Sequence, residues 1–504
     1  MLSLIHQLAP GAFSSPTVDF HALAPELVLV VTVVGLVLLD SVQLERARAL
    51  MPALVNIGLL AALVPLVTLA ADGARRELFS GSYVVDSMAL LLKALFLVSA
   101  YVVVLLSTNY VAEGDYWESE YYTLLASSVL GMVVMASSRD LVGIFVALEL
   151  LSIPAYMLAA WRKGDTRSNE AGMKYYLMGV FASAVLLYGM SLVYGVGRST
   201  RLTEIALHIE QLGRDGKPVV TLAILFTIIG FAFKVSAVPF HTWAPDTYEG
   251  APTPVTAYLA VASKAAGFVA LIQVVFFGFA VRPDIVQPLF FVLAVATMTV
   301  GNLIALRQTN LVRLLAYSGI AQAGFILAPF VVVGDARSAA LSSVVTYLVI
   351  YAAMTLGAFG VVIAVARTTR SAELESFSGL FNYMPGLTVA MTVFLASLVG
   401  IPPLGGWFAK FGVFSAVLGA RTGLGLAMAV VMALNSVVAA YYYLRIAKTM
   451  WFEPAPEGAA GPVTKVPTGI TAAIALSVAA TLVFGVLPGL LTDVTNFVPL
   501  ALGR

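Results

Sequence analysis

The 504-residue chain contains no cysteine, four histidines and only 11% charged residues. Without cysteine there are no thiolate-ligated iron-sulfur clusters, no thiol catalysis, no disulfides and no c-type haem attachment. The histidines are His6, His21, His208 and His241, and three of them fall outside the apolar runs, which argues against a bis-histidine haem. A net charge of +1 gives no long-range field suited to nucleic acid. No Walker loop or dinucleotide fingerprint stands in a strand-turn-helix context, so the chain is expected to carry no redox centre or nucleotide site of its own. The shortage of charge also excludes an ordinary soluble domain, which carries about 25% charged residues. With 60% of its residues hydrophobic, the chain lacks the polar surface to coat a globule of its size. It reads as an all-α polytopic membrane protein.

Apolar length and the placement of Gly, Pro and charge predict about fourteen transmembrane helices at roughly 20 residues each. They fall near 24 to 40, 51 to 71, 86 to 107, 120 to 137, 141 to 160, 171 to 197 and 218 to 239, then 253 to 280, 287 to 305, 311 to 333, 336 to 366, 384 to 420, 424 to 447 and 468 to 488. Residues 1 to 23 lack the basic start and small-residue cleavage site of a secretory signal and are expected to be retained. An even number of spans puts both termini on one side, taken as periplasmic. Lys and Arg are divided almost evenly between the two sets of loops, so the positive-inside rule adds little.

Five lysines, Lys93, Lys174, Lys234, Lys264 and Lys410, lie within or at the edge of predicted spans. Unpaired lysines at a helix centre are unfavourable by about 2.5 to 3.5 kcal/mol each, and five would consume on the order of the whole stability of a fold. Each therefore needs a partner, water, a neutral state or an interface. Lys93 follows Asp86 by seven residues, where its stem can snorkel to headgroups or lean toward an acid, a structural role. Lys174 follows Glu170 by four residues, the favourable spacing for a helical ion pair, and is equally suited to proton entry. Lys234, Lys264 and Lys410 are deeper, in FAFKVSAVPF, AVASKAAGF and GGWFAKFGVF, and read as functional. Glu149, in FVALELLSIPAYML, reads as the one carboxylate well inside a span, and an ionised pair with an embedded lysine is expected of it.

Helix interruption is the second signal. Pro239 follows Lys234 by five residues, and Gly400-Ile401-Pro402-Pro403 with Gly405-Gly406 precedes Lys410. Proline removes a backbone donor and clashes with the preceding turn, so both helices should break at bilayer depth. Broken helices are tolerated where they are buried in protein or line a hydrated cavity, and they mark ion sites. One alone is as easily a packing kink; two, each beside a lysine and one in each half of the chain, favour ion translocation through a repeated fold. Residues 241 to 255, HTWAPDTYEGAPTPV, are expected to form an ordered turn at the membrane surface, where His241 either passes protons or packs. The aromatics are scattered in the manner of packing or interfacial belts and do not suggest a quinone site.

These residues resemble the antiporter-like subunit N family of bacterial complex I, the proton-pumping NADH:quinone oxidoreductase of the respiratory chain. The likeness rests on FKVSAVPFHTWAPDTYEGAPTPVTAYLAVASKAAGF, with ELLSIPAYMLAAW, NEAGMKYYLMG, RLLAYSGIAQAGF and GIPPLGGWFAKF in the expected order, and covers nearly all of the chain. It implies three N-terminal helices over 1–118 and two inverted five-helix repeats over 119–283 and 284–450, each with a broken helix. A last helix and tail occupy 451–504. It also implies that Glu149 matches the glutamate of the fifth helix, Lys234 the lysine of broken helix seven, Lys264 the central lysine of helix eight, and Lys410 the lysine of broken helix twelve. Lysine at the last position and the EGAPTPV loop favour subunit N over subunit M. Gln322 stands where relatives often carry histidine and cannot itself exchange a proton, so a relay there must use water or bypass it.

The resemblance further implies a translocase subunit in a prokaryotic plasma membrane, flanked by other membrane-arm subunits, with FMN, iron-sulfur clusters and quinone in partner subunits and none here. A glutamate about 4 Å from a lysine, at an effective dielectric near 20, is worth roughly 4 kcal/mol, or about three pKa units. Movement of Glu149 relative to Lys234 would then switch that lysine between holding and releasing a proton, which would pass to Lys264 and Lys410. Two rival readings stay open: a subunit of a multisubunit cation/proton antiporter, and a non-pumping spacer in the complex.

Overall fold

In the computed structural model the described residues are 18–41, 50–114, 118–213, 217–455 and 465–495. The expectation of a retained segment over 1 to 23 falls mostly outside them. Among the described residues thirteen helices are long and apolar enough to cross a membrane. They begin with α1 (Ala24–Ser41), α2 (Met51–Asp72), α3 (Ser87–Ala112), α4 (Glu118–Ser137), α5 (Leu141–Ala159) and α6 (Thr166–Gly197). A short amphipathic helix, α7 (Leu202–Gln211), precedes α8 (Lys217–Lys234) and α9 (Trp243–Gly250). The chain continues through α10 (Thr253–Phe279), α11 (Pro283–Ala305), α12 (Leu311–Val332) and α13 (Arg337–Thr369). After a single helical turn at Leu380–Tyr383 come α14 (Pro385–Val399), α15 (Gly405–Gly419), α16 (Gly423–Phe452), α17 (Thr468–Val486) and α18 (Gly489–Thr495). The stretch expected as one span over 384 to 420 is the pair α14 and α15, each too short to cross alone.

Local sequence sets the helix ends. Asp86, Asp140, Asp165, Asn310 and Thr422 stand just before α3, α5, α6, α12 and α16, and each accepts a bond from a first-turn amide. Those bonds satisfy donors that have no partner inside the helix. A two-stranded hairpin, β1 (Arg76–Leu78) paired antiparallel with β2 (Tyr83–Val85), links α2 to α3. Residues 241 to 255 depart from the expected surface turn: 243–250 are helical, and Trp243, Ala244, Pro245, Thr247 and Tyr248 are buried. Pro245 is compatible with helix because it lies in the first turn, where its missing N–H has no intrahelical partner to lose.

Helices α10, α12 and α13 are the interior of the bundle, buried along nearly all of their apolar length, whereas α1, α2, α6, α16 and α17 present most of theirs outward. Lys264 thus sits on a helix that touches protein on every side. It also follows Leu259–Ser263, a π-helical turn, a local widening that frequently accompanies functional positions. Close approach of α6 to α8 depends on Gly189, where a Cβ would lie 2.5 Å from the backbone nitrogen of Thr227. Substitution Gly189→Val should therefore overpack this contact by about 1 to 3 kcal/mol. A lowered thermal unfolding midpoint in detergent is expected, and an unchanged one would contradict the close packing.

Candidate functional site

Lys234 ends α8, and the chain breaks immediately after it: Ser236 has φ +57°, and helix resumes only at Trp243. The freed backbone groups find partners, as the broken-helix expectation requires. Trp243 Nε1 donates to the Phe233 carbonyl at 3.1 Å, Ala237 N to the Ala232 carbonyl at 2.8 Å, and Val238 N to Thr297 Oγ1 at 3.0 Å. The Lys234 ammonium is buried and donates to Ser152 Oγ at 2.8 Å and Tyr175 Oη at 3.1 Å. It lies 5.6 Å from the ring centre of Tyr156 and 5.4 Å from that of Tyr175, within range for cation–π attraction. Tyr175 is held by stacking on Trp243, with ring centres 4.4 Å apart, so the residue after the break positions the lysine's partner.

Glu149 is on α5, one turn before Ser152, and only partly buried. Ser183 Oγ donates to its carboxylate at 2.6 Å, and no Lys, Arg or His among the described residues lies within 4.0 Å of it. The contact expected between Glu149 and Lys234 is therefore not formed in this arrangement. Ser152, bonded to Lys234 and one turn from Glu149 on the same helix, stands between them.

Lys264 donates to the Gly319 carbonyl at 2.9 Å, with the Tyr248 ring centre at 6.0 Å. The hydroxyls of Tyr248 and Tyr351, both buried, have no hydrogen-bond partner. Such groups are the ones internal water completes. Further along α12, Gln322 donates to Tyr443 Oη and to the Leu398 carbonyl, each at 3.2 Å, while Tyr347 donates to Gln322 Oε1. Ser318 and Tyr443 share a 2.5 Å hydrogen bond. Lys410 Nζ then donates to the Val399 carbonyl at 2.8 Å, with the Phe325 ring centre 4.8 Å away. Successive carbonyls at the open end of α14 thus take the Gln322 amide and the Lys410 ammonium. No carboxylate lies within 4.0 Å of Lys234, Lys264 or Lys410 among the described residues.

Lys174 is not deep. It is about 44% exposed and binds Glu170 and Asp246, both at 2.7 Å. Asp246 and Glu249 also bind Arg313, at 2.9 and 2.8 Å. These groups line an open cavity of about 300 Å³. Burial pushes the Asp246 carboxyl up, but hydrogen bonds from Lys174 and Arg313 outweigh it and hold the group below the ordinary aspartate value. His241 lies in the break, its buried Nδ1 without a partner, and no hydrogen bond ties it to any of the lysines.

Lys93 differs from expectation. It is fully buried and does not snorkel; its partner is Glu26 at 2.7 Å, not Asp86, which binds Arg139 at 2.9 Å. Glu149 is thus not the only carboxylate inside a span. Glu26 is the third residue of α1 and 7% exposed, and a first-turn acid is common enough that nothing in the sequence marks it as buried.

Gly400 ends α14 at φ +94°, and a Cβ there would lie 3.0 Å from Lys410 Cδ. Substitution Gly400→Ala should add about 1 to 2 kcal/mol of backbone strain and displace the lysine from its carbonyl. Lower stability together with weakened ion transport is expected, and a variant normal in both would contradict this geometry.

Residues 138–436 match a transmembrane family described as NADH:quinone oxidoreductase/Mrp antiporter. NADH-quinone oxidoreductase subunit N of Trichlorobacter lovleyi is 37% identical over 476 residues, covering 94% of this chain and 96% of the relative. Subunit N of Rubrobacter xylanophilus is 41% identical over 452 residues, covering 90% and 92%. A chain in the structure of respiratory complex I from Thermus thermophilus with bound aureothin superimposes with a TM-score of 0.76 at 33% identity, covering 93% of this chain and 98% of that one. With its interrupted helices and buried lysines, this multi-pass membrane chain belongs to the NADH:quinone oxidoreductase/Mrp antiporter family, among the relatives of NADH-quinone oxidoreductase subunit N.

Proposed function

We propose that the chain is a proton-translocating, antiporter-like membrane subunit of an NADH:quinone oxidoreductase, working in a prokaryotic plasma membrane with both termini on the periplasmic side. Its neighbours are other membrane-arm subunits, and FMN, iron-sulfur clusters and quinone belong to partner subunits. Residues 119–283 and 284–450 act as two related halves, with 1–118 and 451–504 flanking them. The observation that carries this reading is the row of three buried ammonium groups whose partners are neutral oxygens: Ser152 and Tyr175 at Lys234, Gly319 at Lys264, and Val399 at Lys410. A carboxylate partner would hold each charge fixed, whereas neutral acceptors leave the proton mobile and responsive to nearby charge.

The Lys174–Asp246–Arg313 cavity gives protons access from one face. With Glu149 bonded to Ser183, Lys234 has no carboxylate at contact distance and is poised to release. Bringing Glu149 to about 4 Å would stabilise the ammonium by roughly 4 kcal/mol. That exceeds the roughly 2.3 kcal/mol that 100 mV opposes to one charge. The proton lost by the Lys234 ammonium is taken up by the Lys264 amine, and the next passes by Ser318, Tyr443 and water beside Gln322 to Lys410. Because the chain holds no redox group in this reading, the driving charge shift enters through partner subunits.

In the intact complex, Lys234→Ala and Glu149→Gln should each reduce protons pumped per NADH oxidised while electron transfer persists. Parallel measurement of NADH oxidation and acidification in membrane vesicles checks this. An unchanged ratio would favour the spacer, and ion exchange without NADH oxidation would favour the secondary antiporter.

A further inference from the structure

The outward side of α3 carries a groove that no part of the lysine row uses. Ser87, Leu91, Ala94, Val98 and Tyr101 recur at helical spacing and form one stripe along it, with Val98 50% exposed. Two open cavities lie on this stripe, of about 480 and 340 Å³, and Leu91 and Ala94 line both, so the two are one continuous groove. Helix α2 walls the first, while α13 and α17 wall the second, where small residues such as Ala353 and Ala480 leave the recess.

The two ends differ in chemistry. The larger cavity holds Arg75, Asp86 and Asp493, whereas the smaller is lined almost entirely by apolar side chains. Asp86 is already neutralised by Arg139 at 2.9 Å, which leaves one cation and one anion. Arg75 pairs with the exposed Glu77 at 2.8 Å, a weak contact in water that keeps other guanidinium donors free. Asp493 makes no ion pair among the described residues. Its helix α18 is nonetheless anchored: Ser342 donates to the Thr495 carbonyl at 2.6 Å and Thr346 to Thr495 Oγ1 at 3.0 Å.

The depth of the groove fits one leaflet. Helix α5 runs from Asp140, beside Arg139, to Ala159, which leads into α6 and the Lys174 cavity, so the Asp86–Arg139 end lies at the opposite face. From Ser87 to Val102 the stripe descends about 22 Å at helical rise. That is half of a bilayer about 40 to 45 Å thick with its headgroups. Spread over the roughly 16 Å of α3 from Leu91 to Val102, the smaller cavity is about 20 Å² in section, a width that suits a hydrocarbon chain and not a helix about 10 Å across.

We propose that this groove binds one phosphatidylethanolamine molecule of the leaflet opposite the Lys174 cavity, with its phosphate on Arg75, its ammonium on Asp493 and an acyl chain along α3 between α13 and α17. Arginine matches phosphate oxygens with a planar fork of donors. A free cation and a free anion in one cavity match a zwitterion, whereas an anionic headgroup would set a phosphate against Asp493 with no amine between them. Quaternary ammonium groups are recognised by aromatic rings. The polar end has none, only aliphatic side chains of α2 and α3, so a primary amine that can donate hydrogen bonds to Asp493 is favoured over choline. The inference does not depend on the proton-translocating reading.

The test places the intact complex in phosphatidylcholine vesicles with a trace of phosphatidylethanolamine carrying a diazirine in its acyl chain, and reads the crosslinked positions by peptide mass spectrometry. A phosphatidylglycerol probe with the same chain reports contact with bulk lipid. Labelling over 91–102 of α3 and 476–484 of α17 is expected, stronger for the ethanolamine probe by about tenfold, and displaced by unlabelled phosphatidylethanolamine but not by phosphatidylglycerol. Arg75→Ala combined with Asp493→Ala should erase the headgroup preference, and Val98→Trp should fill the groove and remove the labelling while leaving the polar end intact. Equal labelling by the two probes, a preference for the anionic one, or labelling unchanged in both variants overturns the inference. An unlabelled groove, as when a neighbouring subunit covers it, overturns it as well; the comparison of probes on the unaltered complex needs no variant to assemble.

Discussion

An ammonium group buried among helices must be given oxygen atoms, and in this chain the second half of that requirement shapes the first. Lys234 is supplied by two hydroxyls, Lys264 by the Gly319 carbonyl within the unbroken α12, and Lys410 by a backbone carbonyl that a continuous helix would have used for itself. The Val399 carbonyl is free to bind Lys410 because α14 stops there, and the Phe233 carbonyl is claimed by Trp243 because α8 stops one residue later. At Lys410 interruption and buried charge are thus one feature, since the break releases the acceptor that the lysine takes up; at Lys234 the released carbonyl goes to Trp243, whose ring in turn supports the lysine's partner Tyr175.

The contrast with Lys93 gives that arrangement meaning. There a carboxylate and a phenol enclose the ammonium, and the same residue type becomes a fixed charge. A neutral shell does not offset the cost of burying an ammonium as a carboxylate at contact would, so the approach of another charge carries more weight in deciding its protonation state. A carboxylate at contact stabilises one state alone. Glu149 sits outside contact range of Lys234, bonded to Ser183.

Much of this was legible in the sequence because lipid enforces it. A lysine in an apolar run is conspicuous wherever it stands, so Lys234, Lys264 and Lys410 declared themselves, as did the breaks at Pro239 and Gly400 to Gly406. Pairing over long sequence distance was not legible. Glu26 lies 67 residues before Lys93 and reads as an ordinary first-turn acid, while Asp86, nearer to Lys93, is engaged by Arg139. The helix over 243–250 was hidden by Pro245, which disrupts a helix interior but not a first turn. The bond from Ser183 to Glu149 joins residues on different helices, a pairing to which apolar periodicity is blind.

The central claim is that the three lysines communicate through a wet interior. Locating ordered water in a high-resolution map of the intact complex addresses it most directly. Water should join the Ser152 and Tyr175 hydroxyls at Lys234 to Lys264 beside Tyr248 and Tyr351, and continue past Ser318, Gln322 and Tyr443 to Lys410. Gaps filled by close-packed apolar side chains, with each ammonium enclosed by dry contacts, would contradict it.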